Sequence, residues 1–395
     1  MQTLIELYDE RAIENMIGPE VFRPHRVIYL CPAEIAQDRH SQNVLKNFLC
    51  ARGLKLDVEF LSVSLFKADH VLKQLRTLSA SCGDAAMDVT GGTDAALVAS
   101  GMFCSETGIP TFTYSRKRNR FYNISNAPFA ENLPCSINYS VEDFFAMTGG
   151  TMRKGRVDNA ILHNYLSYFE EFFRIFLRYR NGWNEQITFM QRISQYPRGE
   201  NIPLQVEGAS TQKGEHGSRV KANSEFLKDL EQIGFLKNLR ETDGQISFAF
   251  KDAAVRSWLR DVGSVLELYM YKACIDANIF HDVVSSAVVD WDGTVGHDSV
   301  SNEIDVVAAR GVVPLFISCK ACEVKTEALN ELSILKERFG GKGAKAAIVT
   351  TEPCCAAARH RASQLGIAVI DLEELKSGRA ADRLRVIMKV DEELK

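Results

Sequence analysis

Residues 302–320 read NEIDVVAARGVVPLFISCK: two apolar strands around a short turn, with charge confined to chosen positions. A β-strand sends alternate side chains to opposite faces. Glu303 and Asp305 therefore share one face of the first strand, and Ser318 and Lys320 share one face of the second. Pairing as a hairpin through Arg310 and Gly311 sets a carboxylate pair beside a lysine. Metal-dependent phosphodiester cleavage needs such a set. Carboxylates hold Mg²⁺ or Mn²⁺, the ion lowers the pKa of a bound water, and the lysine orients that water and offsets charge on phosphorus.

The surroundings agree with that reading. An Asp305–Lys320 cross-strand ion pair on an exposed face is the alternative, but both strands are otherwise apolar, so this face should be covered. Buried charges there would be costly without a metal or partners. Glu267 is the only charge in GSVLELYMY, residues 263–271, and reads as a helix acid reaching the same site. Glu303 offers a further acceptor, whereas Glu327 and Glu331, one helical turn apart, read as solvent-facing or as supporting the site from behind its ligands. Strands over 282–291, 300–310, 313–319, 346–350 and 368–371, with intervening helices, give the order αβββαβ. That is the core of restriction-endonuclease-like domains.

Upstream, residues 1–125 alternate apolar runs (3–7, 27–31, 56–63, 85–89, 111–114) with amphipathic stretches such as 41–49 and 71–78. This predicts a parallel sheet covered on both faces, hence a Rossmann-like doubly wound domain whose ligands collect beyond the carboxyl ends of the strands. The fourth strand runs into Asp88-Val89-Thr90-Gly91-Gly92-Thr93-Asp94. Two glycines there permit close backbone approach, and free N–H groups at the helix start suit an anion. The alternative is a tight strand-to-helix turn with Thr93 or Asp94 as N-cap. Neither the G-x-G-x-x-G fingerprint nor a P-loop is present, which disfavours an ordinary dinucleotide or ATP site. Residues 115–120, SRKRNR, carry four cations and read either as a solvated hairpin tip or as part of an anion site.

The middle of the chain differs. Residues 157–180 predict one long aromatic-rich helix, and 191–222 a mobile polar loop. A helix from Ser224 to near Gly234, then two strands around Thr242-Asp243-Gly244, is a winged-helix pattern. Few basic residues mark its second helix, which favours a spacer over a DNA reader. The division expected is 1–150, 151–255 and 256–395.

Net charge is −4, so any nucleic-acid contact must come from local basic patches. No basic stretch followed by an apolar one opens the chain, and no run of about 18 apolar residues occurs, so neither secretion nor membrane spanning is expected. The ten cysteines are scattered. Cys319 and Cys322 have C-x-x-C spacing without the second pair that a zinc site needs, and Cys354-Cys355 lacks partners too. Reduced thiols in a cytoplasmic protein are the expectation.

Taken together, the chain resembles the CRISPR-associated nucleases that join an amino-terminal CARF domain to a PD-(D/E)XK nuclease domain. The resemblance rests on residues 88–93, the winged segment 226–250, Glu267, Asn302 to Asp305, and Ser318 to Lys320. It implies a homodimer whose paired CARF domains bind a cyclic oligoadenylate, cyclic tetra-adenylate foremost, made in type III CRISPR antiviral defence. Ligand would then activate a Mn²⁺- or Mg²⁺-dependent nuclease acting on DNA, RNA or both. Thr90, Gly91, Gly92 and Thr93 would cradle the ring, helped by Asp9, Arg11, Arg39, Ser41 and Arg116. Asp305, Lys320, Glu267 and Ser318 would form the catalytic set. Asp305, Glu267, Glu303 and the Cys319 carbonyl would hold metal. The family motif has an acid where this chain has Ser318, which implies weak metal binding or a preference for Mn²⁺. Two other readings are a ligand-responsive nucleic-acid-binding regulator whose nuclease domain is inactive, and a CARF domain that itself degrades the cyclic messenger.

Overall fold

The computed structural model describes residues 1–79, 82–153, 159–195, 203–214, 218–291 and 301–389. The amino-terminal sheet has seven strands. In spatial order they are Asp57–Ser62, Arg26–Cys31, Thr3–Leu7, Ala85–Asp88 and Thr111–Ser115, all parallel, then antiparallel Arg120–Ser125 and Leu133–Pro134. Period-two alternation covers both faces. Leu4, Val27 and Tyr29 pack with Leu45 and Phe48 of helix Arg39–Ala51. Ile5, Leu7, Ile28 and Leu30 pack with Leu72 and Leu75 of helix Ala68–Ser79 and Phe103 of helix Asp94–Thr107. The strand order reverses between Thr3–Leu7 and Ala85–Asp88, which opens a crevice at their carboxyl ends.

The carboxy-terminal sheet has six strands: Ile367–Ile370, Lys345–Thr350 and Val313–Lys320 run parallel, and Ser301–Arg310, Asp282–Asp290 and Thr151–Arg153 follow antiparallel. Helix Ser264–Ala277 packs on one face and helix Thr326–Gly340 on the other. The αβββαβ order and the α/β class are as the sequence predicts. The residues just after position 150 add an edge strand to this second sheet, so the chain crosses between the sheets without a free linker.

Between residues 159 and 250 the chain forms helices Leu166–Tyr179, Trp183–Ile193 and Ser224–Gln232 and a three-stranded antiparallel sheet, which pack with helix Ser264–Ala277. Its strands are Leu236–Thr242, Gln245–Phe250 and Gln205–Ala209. Asp243 and Gly244 turn the hairpin with φ of 51° and 76°, the left-handed pair that a tight two-residue turn demands. Two expectations need correction. The single helix over 157–180 is two pieces among the described residues, Asn159–His163 and Leu166–Tyr179. The loop over 191–222 holds the end of helix Trp183–Ile193 and strands Gln205–Ala209, Thr211–Lys213 and Arg219–Lys221; residues 196–202 and 215–217 lie outside the described set. Polar composition hid these strands because Val206 and Val220 are their only side chains of the central core. Among the described residues no helix is long and apolar enough to cross a membrane.

Candidate functional site

The hairpin closes with Arg310 opposite Val313 and Gly311 at φ 57°. Its ladder runs to Val306 opposite Ile317, which brings Asp305 level with Ser318. There the Cys319 N–H donates to Asp305 Oδ2 at 2.5 Å, and Ser318 Oγ lies 3.3 Å from the same oxygen. The neighbouring strand is interrupted at this level: Ser285 pairs with Val306 and Ala287 with Ile304, while Ser286 between them takes φ 52°. The strands turn over at this point. Val283, Val306 and Ala308 lie in the core beneath helix Ser264–Ala277, but Ala287, Val289 and Ile304 join the core of the opposite face.

Asp305 thus sits at a twist in the sheet, mostly enclosed. Burial pushes its carboxyl above the ordinary value; the Cys319 N–H, the Lys320 charge and the Ser318 hydroxyl oppose that, and Glu303 adds to it. The Cys319 thiol is pushed far up by burial first and then by the charges of Asp305 and Glu267, with Lys320 acting against them. Asp305, Glu267 and Lys320 thus all act electrostatically on one buried thiol. Glu267 also lines a small cleft with Ser285 and Ser286, at the same twist. Glu303 is exposed opposite Val288. Asn302 donates to Glu331 at 2.9 Å, and Glu327 is exposed.

Among the described residues, no three His, Cys, Asp or Glu side chains gather closely enough to cage a metal ion. A Mg²⁺ or Mn²⁺ ion that keeps most of its water and takes substrate phosphate needs one or two carboxylates. Asp305, a mostly enclosed carboxyl whose pKa burial raises, with Glu267 at the same twist of the sheet, fits that second arrangement.

The crevice of the first sheet is a cavity of about 730 Å³ lined by Tyr8, Asp9, Arg11, Phe66, Gly92 and Thr93, among others. These residues follow the carboxyl ends of three of the parallel strands. Phe66 is 79% exposed there. Helix Thr326–Gly340 closes the cavity with Lys336 and Glu337. A neighbouring cavity of about 580 Å³ shares Arg11 and Glu337 and contains Ser41.

The turn after Asp88 is built from inside. Thr90 donates to Asp88 Oδ1 through both its N–H and its hydroxyl, and that hydroxyl accepts from the Tyr114 N–H at 2.8 Å. Thr93 is the N-cap of helix Asp94–Thr107, and its hydroxyl donates to the Leu65 carbonyl. A Cβ on Gly91 would stand 2.7 Å from the Leu7 carbonyl oxygen, and Gly92 has φ 92° against the Leu7 side chain. Close packing on the first strand therefore explains both glycines. Asp9 is clamped by Arg11 through Nε at 2.8 Å and Nη2 at 3.1 Å.

Two predicted ligand residues lie elsewhere. Arg39 is exposed at the start of its helix and lines neither cavity. Arg116 reaches across to the second sheet's domain, donating to the Gly340 carbonyl at 3.2 Å and standing 3.4 Å from Glu14 Oε2. Ser41 donates to Asp38 at 2.5 Å. Lys336 and Glu337 could not be read as cavity residues from the sequence, because only tertiary packing brings them there. Phe66 stands in the strand-to-helix turn Val63-Ser64-Leu65-Phe66-Lys67, whose apolar residues gave no sign that one of them is exposed.

No family model matches the chain, and no curated protein matches it in sequence. Solved structures do. Protein VC1899 from Vibrio cholerae aligns with TM-score 0.73 and 16% identity over 97% of this chain and 96% of that one. Can2 from Sulfobacillus thermosulfidooxidans, solved in complex with cyclic tetra-adenylate, aligns with TM-score 0.68 and 16% identity over 98% of this chain and 99% of that one. At such identity the likeness is one of fold, and it spans the whole chain. The arrangement of both sheets and their covering helices is thus shared with these two structures over nearly the whole chain.

Proposed function

We propose that the chain is a nuclease switched on by a cyclic oligoadenylate, acting as a homodimer. The observation that carries this reading is the joining, in one chain, of a cavity at the strand-order switch with a mostly enclosed Asp305 that feels the Lys320 charge. Can2, with the same fold, is solved with cyclic tetra-adenylate. In this chain Phe66 would stack on a base, and Arg11 and Lys336 would face phosphates. Helix Asp94–Thr107 turns Leu97, Val98 and Met102 to solvent beside that cavity, an apolar row suited to a second copy.

At the other end, the Cys319 N–H fixes Asp305 in one orientation, and Lys320 offsets charge on the scissile phosphate. Asp305 and Glu267 would hold Mn²⁺ or Mg²⁺, which when bound supplies an activated water near neutral pH. Ser318 provides a hydroxyl where a third carboxylate would strengthen the site, so the softer geometric demand of Mn²⁺ is favoured. The same absence keeps a second reading in view: a ligand-responsive nucleic-acid-binding regulator with an inactive nuclease domain.

The test is cleavage of labelled single-stranded DNA, single-stranded RNA and supercoiled plasmid with Mn²⁺, with and without cyclic tetra-adenylate. Asp305→Ala and Lys320→Ala should each reduce ligand-dependent cutting at least about a hundredfold. Tight ligand binding with every substrate left intact would select the regulator.

A further inference from the structure

Where helix Trp183–Ile193 ends against residues 257–262, a cavity of about 630 Å³ is lined by Gln191, Arg192, Gln195, Ser257, Arg260 and Asp261. It shares Ser257 and Asp261 with the small cleft of Glu267, Ser285 and Ser286. The Ser285 hydroxyl in turn donates to the Asp305 carbonyl at 3.4 Å. The cavity therefore opens beside the residues proposed for cleavage.

Its wall is tied together from inside. Gln191 Nε2 donates to the Arg260 carbonyl at 2.7 Å and Trp183 Nε1 to the Val262 carbonyl at 3.2 Å. The buried Arg256 gives its Nη2 to the Ser194 carbonyl at 2.7 Å. These bonds pin the helix end to the segment 256–262 and set Arg192 and Arg260 on one cavity.

The charge there leans positive: two guanidiniums face the one carboxylate of Asp261, whose Oδ1 accepts from the Gly263 N–H at 3.0 Å. Arg192 and Arg260 are half-buried, and among the described residues neither guanidinium has a hydrogen-bond or ion-pair partner. Comparable arginines elsewhere are paired: Arg26 with Glu59, Arg52 with Glu20 and Asp143, Arg180 with Glu352. Two guanidiniums on one cavity repel each other until an anion lies between them, and their forked donors match phosphate oxygens. With a net charge of −4, this chain must hold a nucleic-acid strand through local cations of this kind.

We propose that Arg192 and Arg260 hold backbone phosphates of the substrate strand and lead it to the cleavage residues. This rests on the nuclease reading above and gives the middle segment a share of the substrate site, where its sequence suggested a spacer. Both arginines stand at helix carboxyl ends, where a cation is favoured for stability alone. Salt dependence separates the two roles, because only a phosphate contact releases counterions.

The experiment measures anisotropy of a labelled single-stranded DNA oligonucleotide on the full chain carrying Asp305→Ala, with Mn²⁺ and cyclic tetra-adenylate, over a range of salt. Adding Arg192→Gln and Arg260→Gln should weaken binding at least about tenfold and flatten the slope of log K against log salt by about 1.4, roughly 0.7 per phosphate. Arg192→Lys with Arg260→Lys should keep most of the slope. In chains that retain Asp305, the Gln pair should raise KM at least about tenfold with kcat within about twofold. Unchanged affinity and slope in the Gln pair would overturn the proposal and leave the nuclease reading standing. Weaker binding with an unchanged slope would assign both arginines to stability alone and overturn it as well. An oligonucleotide that does not bind at all would overturn this proposal and the nuclease reading together.

Discussion

Glu6 and Asp88 stand opposite each other on paired strands, both fully enclosed, and the Glu6 Oε1 and Asp88 Oδ2 atoms make no hydrogen bond. Gly18 leaves room for them, since a Cβ there would run into both carboxyls. Burial pushes Asp88 up to about 7 against the two bonds from Thr90, and Glu6 rises well above its usual value through burial and then Asp88. The carboxyl is thus held above its unfolded value of about 3.9. Its contribution to stability is complete below about pH 4 and is lost as pH rises through about 7. Asp88→Asn keeps the Oδ1 acceptor for Thr90 and removes the charge. It should raise Tm by about 3 °C or more at about pH 8, with the gain vanishing only below about pH 4. Equal shifts at both pH values in a calorimeter would contradict the assignment. A lone acid in the apolar strand TLIEL was legible as an oddity in the sequence, but its partner could be known only once the strand order was.

At the scale of elements, the sequence located nearly every strand that is buried on both faces, because continuous apolar runs between turn residues admit few other readings. The hairpin was legible for the same reason, and its turn, with Arg310 opposite Val313, sets the register that brings Asp305 level with Ser318. The twist at Ser286 was not, since it depends on a left-handed serine and on which core each half of the strand meets. The polar strands Thr211–Lys213 and Arg219–Lys221 were hidden by composition. Helix Asp94–Thr107 carries the dimer hypothesis. Leu97→Glu together with Met102→Glu should convert a dimer to a monomer in light scattering while leaving the thermal transition within about 2 °C of wild type. A dimer that survives both charges would move the interface elsewhere.

Across the whole molecule, one hydrophobic core runs from the amino-terminal sheet into the carboxy-terminal sheet, joining Tyr29, Phe48 and Tyr139 to Phe145, Phe316 and Phe339. Phe145 lies between them, 5.0 Å from Phe339 and 6.4 Å from Phe316 by ring centroids. Three separable modules were the natural reading of the sequence, because periodicity reports each element's own buried face and not which sheet shares it. The shared core implies one cooperative thermal transition for the full chain. Phe145→Ala should move that whole transition, at a cost of about 3–5 kcal/mol. Two resolved transitions, with only one shifted, would separate the modules again.

A continuous core would also give the proposed ligand a physical route from the crevice to Asp305. The most direct measurement is the cleavage rate as a function of cyclic tetra-adenylate, taken alongside binding of the same ligand at the same protein concentration. The account predicts a negligible rate without ligand and a rise that follows occupancy of the crevice, lost in Asp305→Ala while binding persists. Cutting that proceeds equally fast without ligand would contradict it.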